Sequence, residues 1–244
     1  MKLSLLILTY NRLPLTSMYI PKLIDMIGNV DNEVLIWDNG SSDGTYDWLI
    51  EYAKCISGVR VFGGDTNVGL EAINYLASEA SGEYLLKVDD DIEVPQNFAQ
   101  RMVDAYARVG NDKIAFLGWD MAWSTKSKSF ALRSGKRLYK KPLGEMVDIG
   151  NGEKVLIHYT PSKWMVNGPC RLSPKQAFLD IGGHPPGVLY GVDHLVSIAA
   201  EKAGYYIAYL HGPDLVVHKG TNDSPEYRKM KDDQLRKFRC PKDV

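Results

Sequence analysis

Leu3 to Leu8 is an almost unbroken apolar run, interrupted only by Ser4, and predicts a strand buried on both faces. A helix is expected from about Pro14 to Ile27, and a second strand from Glu33 to Trp37, ending at Asp38. Ser41-Ser42-Asp43-Gly44 is a turn, Thr45 to Lys54 a helix and Val59 to Phe62 a third strand. Val68 to Ala80 predicts a helix, with Leu70, Ile73, Leu76, Ala77 and Ala80 on one apolar face. Glu83 to Val88 is a fourth strand that runs straight into Asp89-Asp90-Asp91. Pro95 opens another helix, along which Phe98, Met102, Ala105, Tyr106 and Val109 recur at helical spacing. Short apolar strands separated by helices need crossover connections. They therefore imply an α/β fold with a parallel sheet covered on both faces.

The pattern then changes. Ala115 to Trp119 is a strand, but Asp120 to Lys163 has no helical period and predicts loops and short antiparallel strands. Met165 to Leu172 reads as a strand, and Ser173-Pro174 as the cap of a helix ending at Gly182-Gly183. Asp193 to Ala203 is a helix; Tyr205 to Leu210 and Leu215 to Val217 are short strands. After Ser224-Pro225, the residues Tyr227, Met230, Leu235 and Phe238 form an irregular apolar stripe on a charged helix, expected to pack on the body. With no repeat and no low-complexity linker, one mixed α/β domain over residues 1–244 is the simplest organisation. The change of pattern divides it into a first half to about 112, a second from about 113 to 218, and a tail from about 219.

Composition narrows the partners. Charges nearly cancel, with 29 basic against 30 acidic residues, which argues against nucleic acid. The 3 cysteines, Cys55, Cys170 and Cys240, are odd in number and form no CxxC pair, so a disulfide framework or zinc site is not expected. A reducing, cytoplasmic compartment fits that usage. The apolar run after Met1-Lys2 is short for a signal peptide, and Asn11-Arg12 stands where a small-residue cleavage site would be. No run approaches the roughly 20 apolar residues of a membrane span. Thr125 to Lys141 carries Lys126, Lys128, Arg133, Lys136, Arg137, Lys140 and Lys141 without an acid. It reads as a solvated hairpin, or as a patch for an anionic acceptor or a peripheral membrane contact. Nothing in the sequence specifies an oligomeric state.

Ligands of an open parallel sheet bind beyond the carboxyl ends of its strands. Three segments put polar groups there: Thr9-Tyr10-Asn11-Arg12, Asp38-Asn39-Gly40 and Asp89-Asp90-Asp91. Adjacent carboxylates repel, so folding them together costs free energy unless a cation or a solvated turn offsets it. If the backbone stays extended, Asp89 and Asp91 point to the same side and can share Mn²⁺ or Mg²⁺, hard ions suited to oxygen ligands. Alone, Asp38 reads equally as the cap of the Asn39-Gly40 turn, and Asn67 as an N-cap for the helix near Val68.

In these segments the chain resembles the family 2 glycosyltransferases of the GT-A fold. Leu6-Ile7-Leu8-Thr9-Tyr10-Asn11-Arg12 resembles the family's opening strand and nucleotide loop, and Trp37-Asp38-Asn39-Gly40-Ser41-Ser42-Asp43-Gly44-Thr45 its second motif. Asn67-Val68-Gly69 through Asn74, then Ser81-Gly82-Glu83-Tyr84, resembles the approach to the metal motif, and Asp89-Asp90-Asp91 the DxD itself. Ile181-Gly182-Gly183-His184 and Gly191-Val192-Asp193 resemble acceptor-side motifs. The resemblance implies a Rossmann-like, mostly parallel mixed sheet flanked by helices, with a smaller acceptor-side subregion. It also implies an inverting, metal-dependent transfer from a nucleotide sugar, UDP-linked by preference, to a hydroxyl of a glycan or lipid-linked acceptor.

The resemblance assigns roles to single residues. Asp38 would accept a hydrogen bond from the base. Thr9, Tyr10, Asn11, Arg12 and Asn39 would line the nucleotide pocket, and Asn67 and Gly69 would approach base or ribose. Asp89, Asp90 and Asp91 would hold the donor, with metal on Asp89, Asp91 and His218. His218 follows an apolar strand late in the chain and otherwise reads as structural. Asp193 is the candidate general base, because a hydroxyl needs a proton acceptor as it attacks the anomeric carbon; its alternative is a helix N-cap. His184 and His211 read as loop residues. Trp119, Trp123 and Trp164 are candidate sugar platforms or core. A sugar nucleotidyltransferase is the rival enzyme, but it would open on a glycine-rich basic loop. A non-catalytic glycan- or nucleotide-binding relative is the rival binding protein.

Overall fold

Strand β1 (Leu3–Thr9) pairs in parallel on both sides, with β2 (Asn32–Asp38) and β4 (Tyr84–Asp89); both its faces are covered, and apart from Ser4 and Thr9 its sequence is apolar. The computed structural model describes residues 2–122, 144–163, 165–188 and 191–219. Along the chain follow α1 (Leu13–Asp25), α2 (Thr45–Lys54), β3 (Val59–Gly63), α3 (Ala72–Glu79), β5 (Ile92–Glu93), α4 (Phe98–Val109), β6 (Ile114–Trp119) and β7 (Met121–Ala122). Then come β8 (Gly144–Gly150), β9 (Glu153–His158), β10 (Cys170–Pro174), α5 (Lys175–Asp180), α6 (Val192–Lys202), β11 (Tyr206–His211) and β12 (Val216–His218). The main sheet has 9 strands in the order β3-β2-β1-β4-β10-β6-β11-β9-β8. Only β9 and β10 run against the others. A second sheet of 3 strands, β5-β12-β7, lies at the carboxyl edge.

The period of two along the strands separates two cores. Leu3, Leu5 and Ile7 of β1 and Leu86 and Val88 of β4 pack with Ile20 and Leu23 of α1 and Phe98 and Met102 of α4. Leu6 and Leu85 face the other way, onto Ile73 and Leu76 of α3, Phe178 of α5 and Val196 of α6. No helix among the described residues is long and apolar enough to cross a membrane. The basic segment at 125–141, Trp123, Trp164, Cys240 and the apolar stripe after Ser224 lie outside the described residues.

Element boundaries depart from the sequence pattern where backbone groups find partners off the ladder. The helix expected from Val68 begins at Ala72, after a 3-10 turn at Gly69–Glu71. Val68 N donates to Asn39 Oδ1 and Gly69 N to Asn67 Oδ1, so the first-turn amides are already committed. Asn67 thus closes a local turn and does not cap a helix. Helix α4 starts at Phe98, not at Pro95, where Asn97 takes a left-handed φ of 57° and Phe98 N donates to Met26 O.

The strand expected over 165–172 is displaced to Cys170–Pro174. Val166 N donates to Ser197 Oγ and Asn167 N to Tyr209 Oη, so side chains take the place of a neighbouring strand. Ser173 and Pro174 therefore end β10 and do not cap α5 with a side chain. Helix α6 is entered through Gly191 at φ 80°, which removes the N-cap role considered for Asp193.

Glu33 ties the left part of the sheet together from the amino edge. Its carboxylate accepts from Ser4 Oγ at 2.7 Å, Ser81 N at 2.6 Å, Ser81 Oγ at 2.7 Å and Arg60 Nη2 at 3.0 Å. Burial works to raise its pKa, but these donors outweigh burial and bring it down from 4.5 to about 2. A depressed folded pKa adds stability above the unfolded value and loses it as pH falls through the folded one. Glu33→Gln is therefore expected to lower stability by about 1–3 kcal/mol at pH 7. Urea unfolding at stepped pH should show that difference shrinking between pH 4.5 and about 2. A difference independent of pH there would refute the assignment.

Candidate functional site

Strand β4 ends at Asp89, and Asp90 and Asp91 form the turn into β5. The three carboxylates diverge. Asp89 meets Lys87 Nζ from its own strand. Asp90, 2% exposed, accepts from Arg12 Nη1 at 2.9 Å and Thr16 Oγ1 at 3.0 Å. Asp91 Oδ2 accepts from Arg12 Nη1 at 2.7 Å. Thr9 Oγ1 lies 2.8 Å from Thr16 Oγ1, so the end of β1 supports Asp90 through one intermediate hydroxyl. Asp89 and Asp91 do share a side, but through this turn and not through the extended backbone expected from the sequence.

His218 reaches the same place by strand pairing. It stands opposite Ile92 across β12 and β5, and Lys219 N donates to Asp91 O at 2.8 Å. Its Nε2 is 3.5 Å from Asp91 Oδ1, which is buried and accepts no hydrogen bond. One ligand atom each from Asp89, Asp91 and His218 falls within a mutual span of 4.8 Å. Two carboxylates suit Mn²⁺ or Mg²⁺, and the imidazole favours Mn²⁺, the softer of the two. The orphaned Asp91 Oδ1 fits such an ion.

Burial and the neighbouring charges together set the local protonation. Burial pushes Asp90 up to about 6; Arg12 opposes the rise and Asp91 adds to it. Burial also works against ionised Asp89, but Lys87, His218 and Arg12 outweigh it and hold Asp89 below the usual carboxylate range. On Arg12, burial is outweighed by Asp90 and Asp91, which raise its pKa.

The neighbouring strand end carries Asp38, level with Thr9 across the β1–β2 ladder. Asp38 Oδ1 accepts from Gly40 N at 3.1 Å and Ser41 N at 2.8 Å, the turn-capping role. Its Oδ2 is buried and without a hydrogen-bond partner, which leaves one acceptor of the pair unsatisfied. Asn39 is spent on structure: Oδ1 accepts from Trp37 Nε1 and Val68 N, and Nδ2 donates to Gly69 O. Asn11, at φ 47°, accepts Ser42 N on Oδ1 at 2.7 Å and so clamps the second motif. Tyr10 is 42% exposed, and Asn67 is exposed on the rim.

Asp193 sits in the first turn of α6, with Oδ1 3.0 Å from Arg171 Nη1. A Cβ on Gly168 would lie 2.8 Å from either Asp193 oxygen, so the carboxylate rests against bare backbone. Arg171 also meets His184 Nε2, whose Nδ1 is 2.9 Å from Leu70 O. His184 lies in a loop, as the sequence suggested, but is buried there. Burial, reinforced by Arg171, holds its pKa well below 6.5, which fits a neutral ring accepting at Nε2 and donating at Nδ1. Asn74 bonds both N and O of His184 and so fixes the Gly182-Gly183 turn. His211 is not a loop residue but ends β11, opposite Lys154, and pairs with buried Asp120 at 2.8 Å; Trp119 is core, capped by Arg101.

The sequence analysis missed Thr16, Lys87 and Arg171. Lys87 and Arg171 did leave a signal: each is the lone cation of a largely apolar strand.

The family model "Glycosyl transferase family 2" matches residues 4–146. The Rhizobium meliloti (strain 1021) succinoglycan biosynthesis protein ExoA is 24% identical over 190 residues, 77% of this chain and 54% of that protein. The chain thus spans about half the length of this curated relative. The mannosyltransferase PcManGT of Pyrobaculum calidifontis, solved with GDP-Man and Mn²⁺, superposes with a TM-score of 0.67 at 18% identity, over 99% of this chain and 65% of that one. TarS 1–349 of S. aureus, solved with UDP-GlcNAc, gives 0.63 at 18% identity, over 92% of this chain and 61% of that one. These superpositions establish the GT-A fold: a mixed, mostly parallel sheet with flanking helices.

Arg12 offsets two buried carboxylates at once. Arg12→Met is expected to cost about 3 kcal/mol in EDTA, and Mn²⁺ should recover part of it by replacing the lost positive charge. Urea unfolding with and without Mn²⁺ measures both. Wild-type stability of the variant in EDTA would show that Arg12 is not the counter-ion.

Proposed function

The chain belongs to glycosyl transferase family 2, and from that membership we propose that it transfers a sugar from a nucleotide-sugar donor to a hydroxyl acceptor with inversion. The observation that carries the proposal is the presence, at one sheet edge, of two buried carboxylate oxygens without hydrogen-bond partners, Asp38 Oδ2 and Asp91 Oδ1. One suits a base N–H, and the other a cation that would hold a diphosphate. The donor would lie along the ends of β1, β2 and β4, with Asp89, Asp91 and His218 around Mn²⁺ or Mg²⁺. When bound, the ion supplies Lewis-acid stabilisation of the departing nucleoside diphosphate.

Asp193 is proposed as general base. The acceptor hydroxyl passes its proton to Asp193 as its oxygen bonds to the anomeric carbon, and the bond to the diphosphate breaks with its electron pair. A carboxylate beside the sugar also stabilises oxocarbenium character. Thr9, Asn11, Asn39 and Asp90 would act behind the pocket wall, while Tyr10, Arg12, Asn67 and Gly69 would border the donor. UDP is the preferred nucleotide, although the relatives of this fold include one solved with UDP-GlcNAc and one with GDP-Man. We propose a role in polysaccharide synthesis, as for the succinoglycan biosynthesis protein the chain resembles, with a glycan or lipid-linked acceptor. We further propose that residues to about 112 serve the donor and about 113–218 the acceptor, within one domain. A cytoplasmic location fits the cysteine usage.

A donor-hydrolysis screen over UDP-, GDP- and dTDP-sugars, then an acceptor screen, identifies the substrates. Asp193→Asn is expected to lower turnover by about 10²–10⁴-fold; unchanged transfer sinks the base assignment. Calorimetric titration of UDP should show binding strengthened by Mn²⁺ in the wild type and not in Asp91→Ala. Equal affinity in all three conditions would remove the metal site.

A further inference from the structure

Arg171 of β10 and Lys87 of β4 stand directly opposite each other across an antiparallel ladder. Both are buried, at 2% and 6% exposure. Like charges opposite one another on adjacent strands are destabilising, and each buried cation also loses its hydration. A sheet built only for stability would place apolar side chains here, which often equal or exceed a buried ion pair. The two cations do not share a partner. Lys87 reaches Asp89 and donates to Gly168 O at 2.8 Å. Arg171 reaches Asp193 Oδ1 at 3.0 Å. Gly168 lies between them, its carbonyl held by Lys87 and its bare Cα against the Asp193 carboxylate.

The surroundings of Arg171 allow it one orientation. Its guanidinium lies over the Phe116 ring at 5.0 Å from the centroid. Its Nη2 meets His184 Nε2, and His184 is fixed in turn by Leu70 O and Asn74. Opposite Arg171 on β6 is Gly118, which adds no side chain. Asp193 Oδ1 is thereby engaged, while Oδ2 accepts no hydrogen bond among the described residues.

We propose that Arg171 is a positioning residue for transfer: it holds Asp193 by Oδ1 and so presents Oδ2 to the acceptor hydroxyl. This rests on the assignment of Asp193 as general base. Lys87 serves Asp89 separately, so the two adjacent cations set the separation between the base and the donor end of the site. A misplaced base costs rate and leaves donor binding intact.

The test is a double-variant cycle on the purified chain, reading nucleoside diphosphate release from the sugar nucleotide it turns over, with Mn²⁺. Arg171→Gln is expected to lower kcat about 100-fold, with KM for the donor and calorimetric UDP affinity within about twofold of wild type. Arg171→Lys should regain part of the loss, because a point charge holds one carboxylate oxygen but not the planar geometry. In the Asp193→Asn background, Arg171→Gln should cost nothing further. An equal loss in both backgrounds, or a loss carried by KM and UDP affinity, makes Arg171 merely structural and overturns the proposal. If Arg171→Gln does not fold, Arg171→Lys is carried through the same cycle, with the same criterion. Absence of turnover by the wild type, or full turnover by Asp193→Asn, identifies failure of the underlying function instead. Either is seen before Arg171 is altered, and either overturns this proposal with it.

Discussion

Carboxylates brought out of water must be matched by positive charge or by donors, and the carboxyl edge of this sheet is arranged around that requirement. Asp89, Asp90, Asp91 and Asp193 each meet a cation in the protein: Lys87 for the first, Arg12 for the next two, Arg171 for the last. The compensation is incomplete where a ligand would enter. Asp91 Oδ1 and Asp38 Oδ2 remain without a hydrogen-bond donor. A fold that satisfied every oxygen internally would gain stability and lose the capacity to draw in a cation or a base N–H.

The topology makes this matching possible. Parallel pairing of β1 with β2 and β4 aligns Thr9 with Asp38 and Leu8 with Asp89, so polar strand ends converge at one level. The reversed strand β10 then inserts beside β4 and brings Arg171 level with Lys87. Late in the chain, β12 pairs with β5 and carries His218 to the Asp91 turn. Residues far apart in sequence are thus fixed by backbone ladders, which constrain position more tightly than flexible loops would.

The elements that were legible are those whose side-chain period is their own. Strand β1, α2 and β4 appear close to where apolar spacing puts them, and Asp89-Asp90-Asp91 is visible as an acidic run ending a strand. The segment 165–169 was misread because its apolar residues resemble a strand, while its amides are bonded to Ser197 and Tyr209 side chains. Such partners lie beyond any local pattern. For the same reason Arg12 read as a pocket residue: nothing near it in sequence reveals that Asp90 and Asp91 lie within hydrogen-bond reach. Lys87 was overlooked for a different cause. Its strand is apolar enough that the one cation did not alter the assignment, yet a cation in a buried strand always requires a partner.

That last point generalises within this molecule. The lone cations of β4 and β10 both point to the face that carries α6, and both end on a carboxylate at the sheet edge. Neither exploits solvent to relieve its charge, so moving either carboxylate would leave a buried cation unpaired. The cost of that displacement resists movement of Asp89 and Asp193 alike. Rigid placement of the two acids follows from the electrostatics of the core beneath them, and the loops above the sheet need not supply it.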